Sequence, residues 1–389
     1  MSLFKKKTGV FVVLVFWLCL FWVFPSSLKA SATIKIGALL DLSGPFSTLG
    51  ATAFKSIRLA VENINLQGGI KGVPVEVLVY DTGADETRLV EGATELKRQG
   101  AVALIGPTAA KNCLLLRRFA ENKRIPLMLI AGTSPVLTFS GIKTRWTFST
   151  TLNFSSELKA LFSVFQKRGY QNLGVLVQTG SFYKELFLWI RGYAPEYGLR
   201  LGCAEGFNLN QEDISGKVKY LNRCGPDIVL FWANSQAKPL IHGIMQYLDI
   251  PVGLSHTLYS ANLIQPANST SMLAFVAIPS ALAPPGLKRS LSFNARNFLN
   301  SWGNELETIG FEQRLYAAQA WDGINVLTSG LKAGGAKGRS SLRYALENSV
   351  KDYFGVIGKF SYDKRDHSFL DPSSLQVLRC FNGHWSLVR

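Results

Sequence analysis

Between residues 33 and 130 short apolar runs alternate with helical patterns, and that alternation constrains the fold more than any other feature. Ile34, Ile36, Ala38 and Leu40 alternate as on a half-buried strand, and Asp41 to Gly50 follow as a turn rich in Ser, Gly and Pro. Ala53, Ile57, Ala60 and Ile64 then recur at near-helical spacing. Gly68-Gly69-Ile70-Lys71-Gly72 breaks the pattern, and Val75, Val77 and Val79 alternate on a second strand ending at Asp81. A helix over about 85–99, an apolar strand over 102–105, a helix over about 110–122 and a strand over 126–130 complete the series. Four strands alternating with three helices predict a parallel, doubly wound α/β sheet. Ligands of such sheets bind at the carboxyl ends of the strands. The turn after the first strand is therefore either a ligand loop or an ordinary βα turn.

The same alternation returns beyond residue 151. Helices are expected near 155–168, 183–197, 214–223 and 238–248, with strands over 173–177, 199–204, 228–232 and 274–278. Ala281 to Gly286, reading ALAPPG, has the composition of a linker. Three helices without strands follow, about 288–307, 312–333 and 339–349, and two short strands over 358–362 and 375–379. Helices followed by strands imply that the chain revisits the first lobe and then the second.

Residues 1–32 read as an address. Lys5, Lys6 and Lys7 precede an apolar run from Val10 to Phe24, and Ala30-Ser31-Ala32 fits a small-x-small cleavage site. The run is 15 residues, short of the roughly 20 that span a bilayer as a helix. Export with cleavage near Ala32 is expected, an uncleaved anchor being the alternative, and Cys19 inside the run does not form a lipidation box. No second long apolar run exists, so the expectation is a freely diffusing protein of two lobes.

The net charge is +16 for the whole chain. A basic balance suits an anionic ligand, an anionic surface or nucleic acid. However, its densest groups are short (Arg117-Arg118, Lys143-Arg145, Lys288-Arg289), and no basic helix or aromatic-basic repeat occurs, which argues against nucleic acid. Cys113, Cys203, Cys224 and Cys380 remain after processing, without CxxC or Cys/His ligand spacing, so neither a zinc site nor another metal is expected. Cys203 and Cys224 flank one expected helix and form the better disulfide pair, the alternative being buried free thiols.

An enzyme is not expected. Neither a GxSxG elbow nor a GxxxxGK[ST] loop is present, and the run Gly334 to Ser340 follows a helix rather than a strand, as a helix connection does.

Six segments in order carry a family resemblance: IGALLDLSGPFSTLG from Ile36, AVENINLQGGIKG from Ala60, VYDTGAD from Val79, IGPT from Ile105, RIPLMLIAGTSP from Arg124 and GVIGKFSYD from Gly355. Over nearly its full mature length the chain resembles the type I periplasmic binding proteins of the leucine/isoleucine/valine-binding family. The resemblance implies two Rossmann-like lobes with parallel sheets, joined by a three-crossover hinge near Thr150, Ala281 and Ser361. Lobe 1 would comprise 33–150 and 282–360, and lobe 2 would comprise 151–281 and 361–389. It further implies a periplasmic monomer without cofactor that captures a small-molecule ligand and passes it to the permease subunits of an ABC transporter. A ligand-sensing receptor component is the alternative, since the fold serves both uses.

The candidate ligand residues lie on loops at the strand ends. Thr108, Ala109 and Ala110 sit at a strand-to-helix turn where backbone N–H groups can receive a carboxylate. Gly132 admits a ligand close to the backbone, Thr133 adds a hydroxyl, and Leu49 offers an apolar wall. For Thr108 and Thr133 the ordinary alternative is helix capping. From the other lobe, Tyr183 occupies the place of a family tyrosine that covers the ligand, and Asn234, His256 and Thr257 follow two further strands. A lone histidine such as His256 is as readily a structural residue.

Two departures from the family bear on the ligand. Ala110 stands where aliphatic amino acid binders carry a serine hydroxyl, and His256 stands near an acidic position. An ammonium without a carboxylate partner is poorly compensated in a closed cleft. The expected ligand is therefore a small amide, urea-like compound or organic acid in preference to leucine, isoleucine or valine.

Overall fold

A computed structural model describes residues 33–132, 144–180, 183–209, 214–248, 250–260, 273–334, 338–381 and 383–388. The first sheet contains β1 (Ile34–Leu40), β2 (Val75–Asp81), β3 (Ala103–Ile105), β4 (Leu127–Leu129) and β5 (Thr147–Ser149). Its order is β2-β1-β3-β4-β5, parallel throughout, with Ile36 aligned to both Val77 and Ala103. The connecting helices are α1 (Ser47–Leu66), α2 (Glu86–Arg98) and α3 (Cys113–Lys123). Helix α2 shows why they form where they do. Asp85 accepts from Arg88 N at 2.8 Å as the N-cap, Glu86 occupies the first turn, and Lys97 and Arg98 occupy the last. Its Leu89, Ala93 and Leu96 are buried on one face.

The second sheet draws on β6 (Asn172–Gln178), β7 (Arg200–Phe207), β8 (Ile228–Trp232), β9 (Val252–Leu254), β10 (Leu273–Pro279), β13 (Leu375–Phe381) and β14 (His384–Leu387). It is ordered β14-β13-β10-β9-β8-β6-β7. Helices α4 (Phe154–Lys167), α5 (Tyr183–Tyr193), α6 (Ile214–Cys224) and α7 (Lys238–Tyr247) accompany it. The expectation of a parallel sheet needs correction at one edge, where β13 and β14 are antiparallel. Leu375 pairs with Pro279, so the returning chain enters at the carboxyl end of β10 and can only run against it.

The helix expected over 288–307 is two helices, α8 (Phe293–Trp302) and α9 (Glu305–Thr308). Ser292 caps Ala295 N at 3.0 Å, and Gly303 ends α8 at φ 58, a conformation that favours glycine. Helices α10 (Phe311–Lys332) and α11 (Arg339–Ser349) follow, and β11 (Tyr353–Phe354) and β12 (Lys359–Phe360) pair as a separate hairpin. Most of α10 is buried, with Ala317, Ala318, Ala320, Ile324, Val326 and Leu327 in the main core. One core position of α10 is acidic. Asp322 is fully buried and accepts from Val356 N at 2.8 Å and Ile357 N at 2.9 Å. A Cβ on Gly355 would stand 2.5 Å from its Oδ2, so the turn closes on the carboxyl only through glycine.

The segments between the sheets are stitched to one another. Ser149 N donates to His367 O at 3.0 Å, the Tyr362 hydroxyl donates to Ser149 O at 2.7 Å, and Asn153 Nδ2 donates to Ser368 O at 3.0 Å. The rings of Phe148 and His367 stack at 4.1 Å. Near the remaining connection, Ser280 Oγ donates to Gln376 Oε1 at 3.0 Å.

Cys113, Cys203, Cys224 and Cys380 are all free thiols. Cys203 on β7 is buried, and its thiol is pushed up to about 12 by burial and then by a hydrogen bond with Cys224 at the end of α6. The two sulfurs are thus neighbours. Prolonged exposure to oxidised glutathione at alkaline pH is expected to join them, releasing two reduced glutathiones, removing two titratable thiols from the desalted protein and adding ~3 kcal/mol of stability through a loop of ~20 residues. Cys224→Ser should abolish both effects. An unchanged thiol count after oxidation would show that the pair cannot reach bonding geometry.

Candidate functional site

The first sheet's loops converge on Asp41, the residue after β1. Its fully buried carboxylate accepts from the Thr82 hydroxyl, from Ala84 N at 2.7 Å and from Ala109 N at 2.8 Å, and its own N–H donates to Thr108 Oγ1 at 3.3 Å. One side chain therefore ties the ends of β1, β2 and β3. A Cβ on Gly50 would lie 2.0 Å from Asp41 O, so α1 starts in contact with this hub and half-buried Leu49 is held beside it. Burial, and then the Asp41 charge, push the Cys113 thiol up to about 12, which makes it inert at neutral pH.

This geometry changes the reading of the 108–110 turn. Thr108 and Ala109 are fully buried, the Ala109 amide is spent on Asp41, and the Thr108 hydroxyl already accepts from within the fold. Ala110 and Lys111 open a 3₁₀ turn, Ala110–Asn112, whose first amides have no acceptor within the turn. These are the amides a ligand oxygen can use. Asn112 closes the turn fully buried, and its side-chain oxygen and nitrogen have no hydrogen-bond partner. At Gly132, the nearest atom to an added Cβ is Leu152 O at 3.9 Å, so the fold itself does not require glycine there. Thr133 lies outside the described residues. Tyr183 is the first residue of α5, and its side chain lies outside the described set.

On the second sheet, His256 follows β9 and is 6% exposed. Its N–H donates to Glu157 Oε1 at 2.5 Å, and its Nδ1 lies 2.8 Å from Glu157 Oε2. Glu157 is fully buried in the first turn of α4, whose N-cap is Asn153. This corrects the expectation that the second lobe offers no acid near the ligand position. An ionised carboxylate only accepts, so Nδ1 carries the proton towards Glu157, and in the neutral imidazole Nε2 is left as an acceptor. Thr257 donates its hydroxyl to Ala233 O, and Asn234 caps the next turn by accepting from Gln236 N at 2.9 Å. Both polar groups are therefore partly committed. Phe154 lies against Trp232 edge-on at 5.5 Å and against His256 at 6.3 Å, forming an aromatic flank to the dyad.

Helix α10 brings the two sets together. Phe311, in its first turn, meets the Tyr259 ring edge-on at 4.8 Å, three residues beyond His256. Tyr316 donates to Thr108 O at 3.2 Å. Gln319 donates to Ile130 O at 3.0 Å and accepts from Leu152 N at 2.9 Å, so it holds the loop after β4 against the segment leading into α4. From residue 311 to 319 a helix rises ~12 Å. The loops after β3, β4 and β9 are therefore collected within about two turns of one helix. Leu49, Thr108, Ala109, Ala110 and Gly132 stand at the ends of the first sheet's strands, and Asn234, His256 and Thr257 at those of the second.

Asp41, Glu157, Tyr316 and Gln319 were not among the sequence candidates. Asp41 reads locally as a turn residue and Glu157 as a first-turn acid favoured by the helix dipole. Their partners lie tens to hundreds of residues away, where local periodicity carries no signal.

A family model described as periplasmic binding protein matches residues 33–380. The leucine-, isoleucine-, valine-, threonine- and alanine-binding protein of Pseudomonas aeruginosa is 21% identical over 208 residues, 54% of this chain and 56% of that protein. The Leu/Ile/Val-binding protein of Escherichia coli K12 is 24% identical over 211 residues, 53% of this chain and 56% of that protein. The chain thus spans about half the length of the curated relatives it matches. A periplasmic binding protein type 1 from Bordetella pertussis Tohama I superposes with a TM-score of 0.70 at 19% identity, covering 92% of this chain and 100% of that one. The branched-chain amino acid transporter substrate binding protein LivJ of Streptococcus pneumoniae, solved in complex with isoleucine, gives 0.66 at 19% identity, covering 92% and 99%. At such identities the likeness establishes the fold.

Proposed function

The chain belongs to the periplasmic binding protein family, whose members are solute-binding proteins rather than enzymes, and we propose that it captures a small organic solute between its lobes for an ABC transporter. The observation that carries this reading is the α10 face, which touches the strand-end loops of both sheets at Tyr259, Thr108 and Ile130. We propose the lobes as 33–150 with 282–360 and 151–281 with 361–389, working as a monomer in the periplasm after cleavage near Ala32. The stitched segments around Ser149, Ser280 and His367 support hinges near Thr150, Ala281 and Ser361.

Glu157 moves the ligand class. A zwitterion's ammonium needs an opposing charge, and Glu157 stands behind His256. An ammonium can donate to Nε2 while Glu157 supplies the opposing charge through the ring, and a carboxylate or amide oxygen can take the amides of Ala110 and Lys111. The ligand we propose is a small amino acid or its amide, in line with the names of the Pseudomonas and Escherichia relatives. Organic acids without nitrogen leave the dyad unused and should bind more weakly.

Calorimetry against amino acids, their amides and short organic acids tests the class. Small-angle scattering tests the mechanism, because ligand should favour the closed form and reduce the radius of gyration. An organic acid outbinding every amino acid and amide would overturn the ligand class. An unchanged radius at saturation would overturn closure.

A further inference from the structure

A cavity lies far from the candidate ligand loops. It is formed by the C-terminal ends of α1 and α10, the start of α8 and β11, and has a volume of about 230 Å³. Leu49 and Gln67 lie at opposite ends of α1, so about 25 Å of helix separates this cavity from the candidate ligand loops. It is smaller than drug-sized sites of roughly 300–1,000 Å³, which suits a compact molecule.

Its lining is unusually rich in amides. Asn63, Gln67, Asn294, Asn297 and Asn325 surround it, with the hydroxyls of Thr328 and Ser329, one cation, Lys332, and no carboxylate among the described lining residues. Asn63 Nδ2 donates to Ser301 Oγ at 2.9 Å, Asn294 Nδ2 to Phe354 O at 2.7 Å and Asn325 Nδ2 to Trp321 O at 2.9 Å. These bonds fix the orientation of the amides, and each primary amide has two N–H donors and an acceptor, so groups remain for a ligand. Trp321 is 2% exposed, and its indole N–H is buried without an acceptor. Buried donors are rarely left unsatisfied. At the rim, Phe293 is 64% exposed despite its size.

We propose that this cavity binds a neutral polyhydroxylated molecule of monosaccharide size. Hydroxyl groups donate and accept, as the amides do, so the lining satisfies them without net charge. An ammonium ligand would lack a carboxylate here, and a multiply charged anion would have a single lysine. The Tyr353 and Phe293 rings supply apolar faces for the C–H side of a sugar ring. Because the site shares no residue with the cleft, it stands independently of the amino acid reading.

Saturation-transfer NMR on the whole chain with glucose, xylose and myo-inositol tests the proposal. Transfer to at least one polyol is expected in the unmodified protein and in His256→Ala. It should weaken about tenfold in Asn297→Leu and in Ser329→Phe, two half-exposed positions whose variants report separately should one fail to fold. Loss of transfer in His256→Ala would assign the polyol to the cleft and overturn the proposal. No transfer from any of the three, or transfer surviving both cavity variants, would overturn it as well.

Discussion

Between pH 4 and pH 8, Asp322→Asn is expected to gain about 4 kcal/mol of stability relative to the unmodified protein. Burial pushes the Asp322 carboxyl up from 3.8 to about 7, against the opposing effect of hydrogen bonds from Ile357 and Val356. Between those values the folded chain holds a proton that the unfolded chain has released, so stability falls as pH rises. This contribution is complete below about pH 4 and lost above about pH 7. Three pKa units at 1.36 kcal/mol each give the ~4 kcal/mol figure. Asparagine does not ionise, and its NH2 beside Val356 N adds only a constant offset, so the pH dependence of the difference between the two proteins isolates this group.

The difference is the quantity to measure, because other buried groups act in the opposite direction. Burial pushes His367 below its ordinary 6.5, so its contribution is present above that pH and lost as pH falls. Tyr353 and Tyr362 face Asp322 and are pushed above the ordinary tyrosine range by burial and by its charge, so they stay neutral throughout. Denaturant unfolding of both proteins at pH 4, 6 and 8 should show a gap that widens with pH. A constant gap would mean that Asp322 is ionised, or neutral, across the whole range.

The α/β class was legible because each helix and long strand announces itself within a dozen residues. Ala53, Ile57, Ala60 and Ile64 form one buried face of α1, and Ile36, Ala38 and Leu40 are buried on β1. Strands β5 and β9, which the sequence did not show, span three residues each, too short to display alternation. The antiparallel edge depended on where the chain re-enters the second sheet, and a strand's own pattern does not encode its direction. The loops of the candidate site were legible, but not the partners of their residues. Gln319 joins Ile130 and Leu152 across separations of 189 and 167 residues, and Glu157 meets His256 across 99. Asp41 spends the Ala109 amide that sequence reasoning offered to the ligand.

Glu157→Gln should lower affinity for an amino acid ligand by roughly 10–100-fold, with a smaller effect on folding than Glu157→Ala. The carboxylate takes the His256 N–H on one oxygen and lies 2.8 Å from Nδ1 on the other. Glutamine keeps one acceptor, which the backbone N–H can retain, and presents an NH2 group to the ring. Nδ1 must then accept, which moves the imidazole proton to Nε2. The ring nitrogen proposed to receive an ammonium becomes a donor, and the compensating charge is lost in the same step. Alanine instead leaves the His256 N–H without its buried acceptor, a cost of roughly 1–3 kcal/mol in stability. Calorimetry and thermal unfolding on both variants separate these effects. Affinity falling in step with stability across the two would reduce the dyad to a packing element. Unchanged affinity for the same amino acid in Glu157→Gln would remove it from the site and restore an oxygen-only ligand as the better reading.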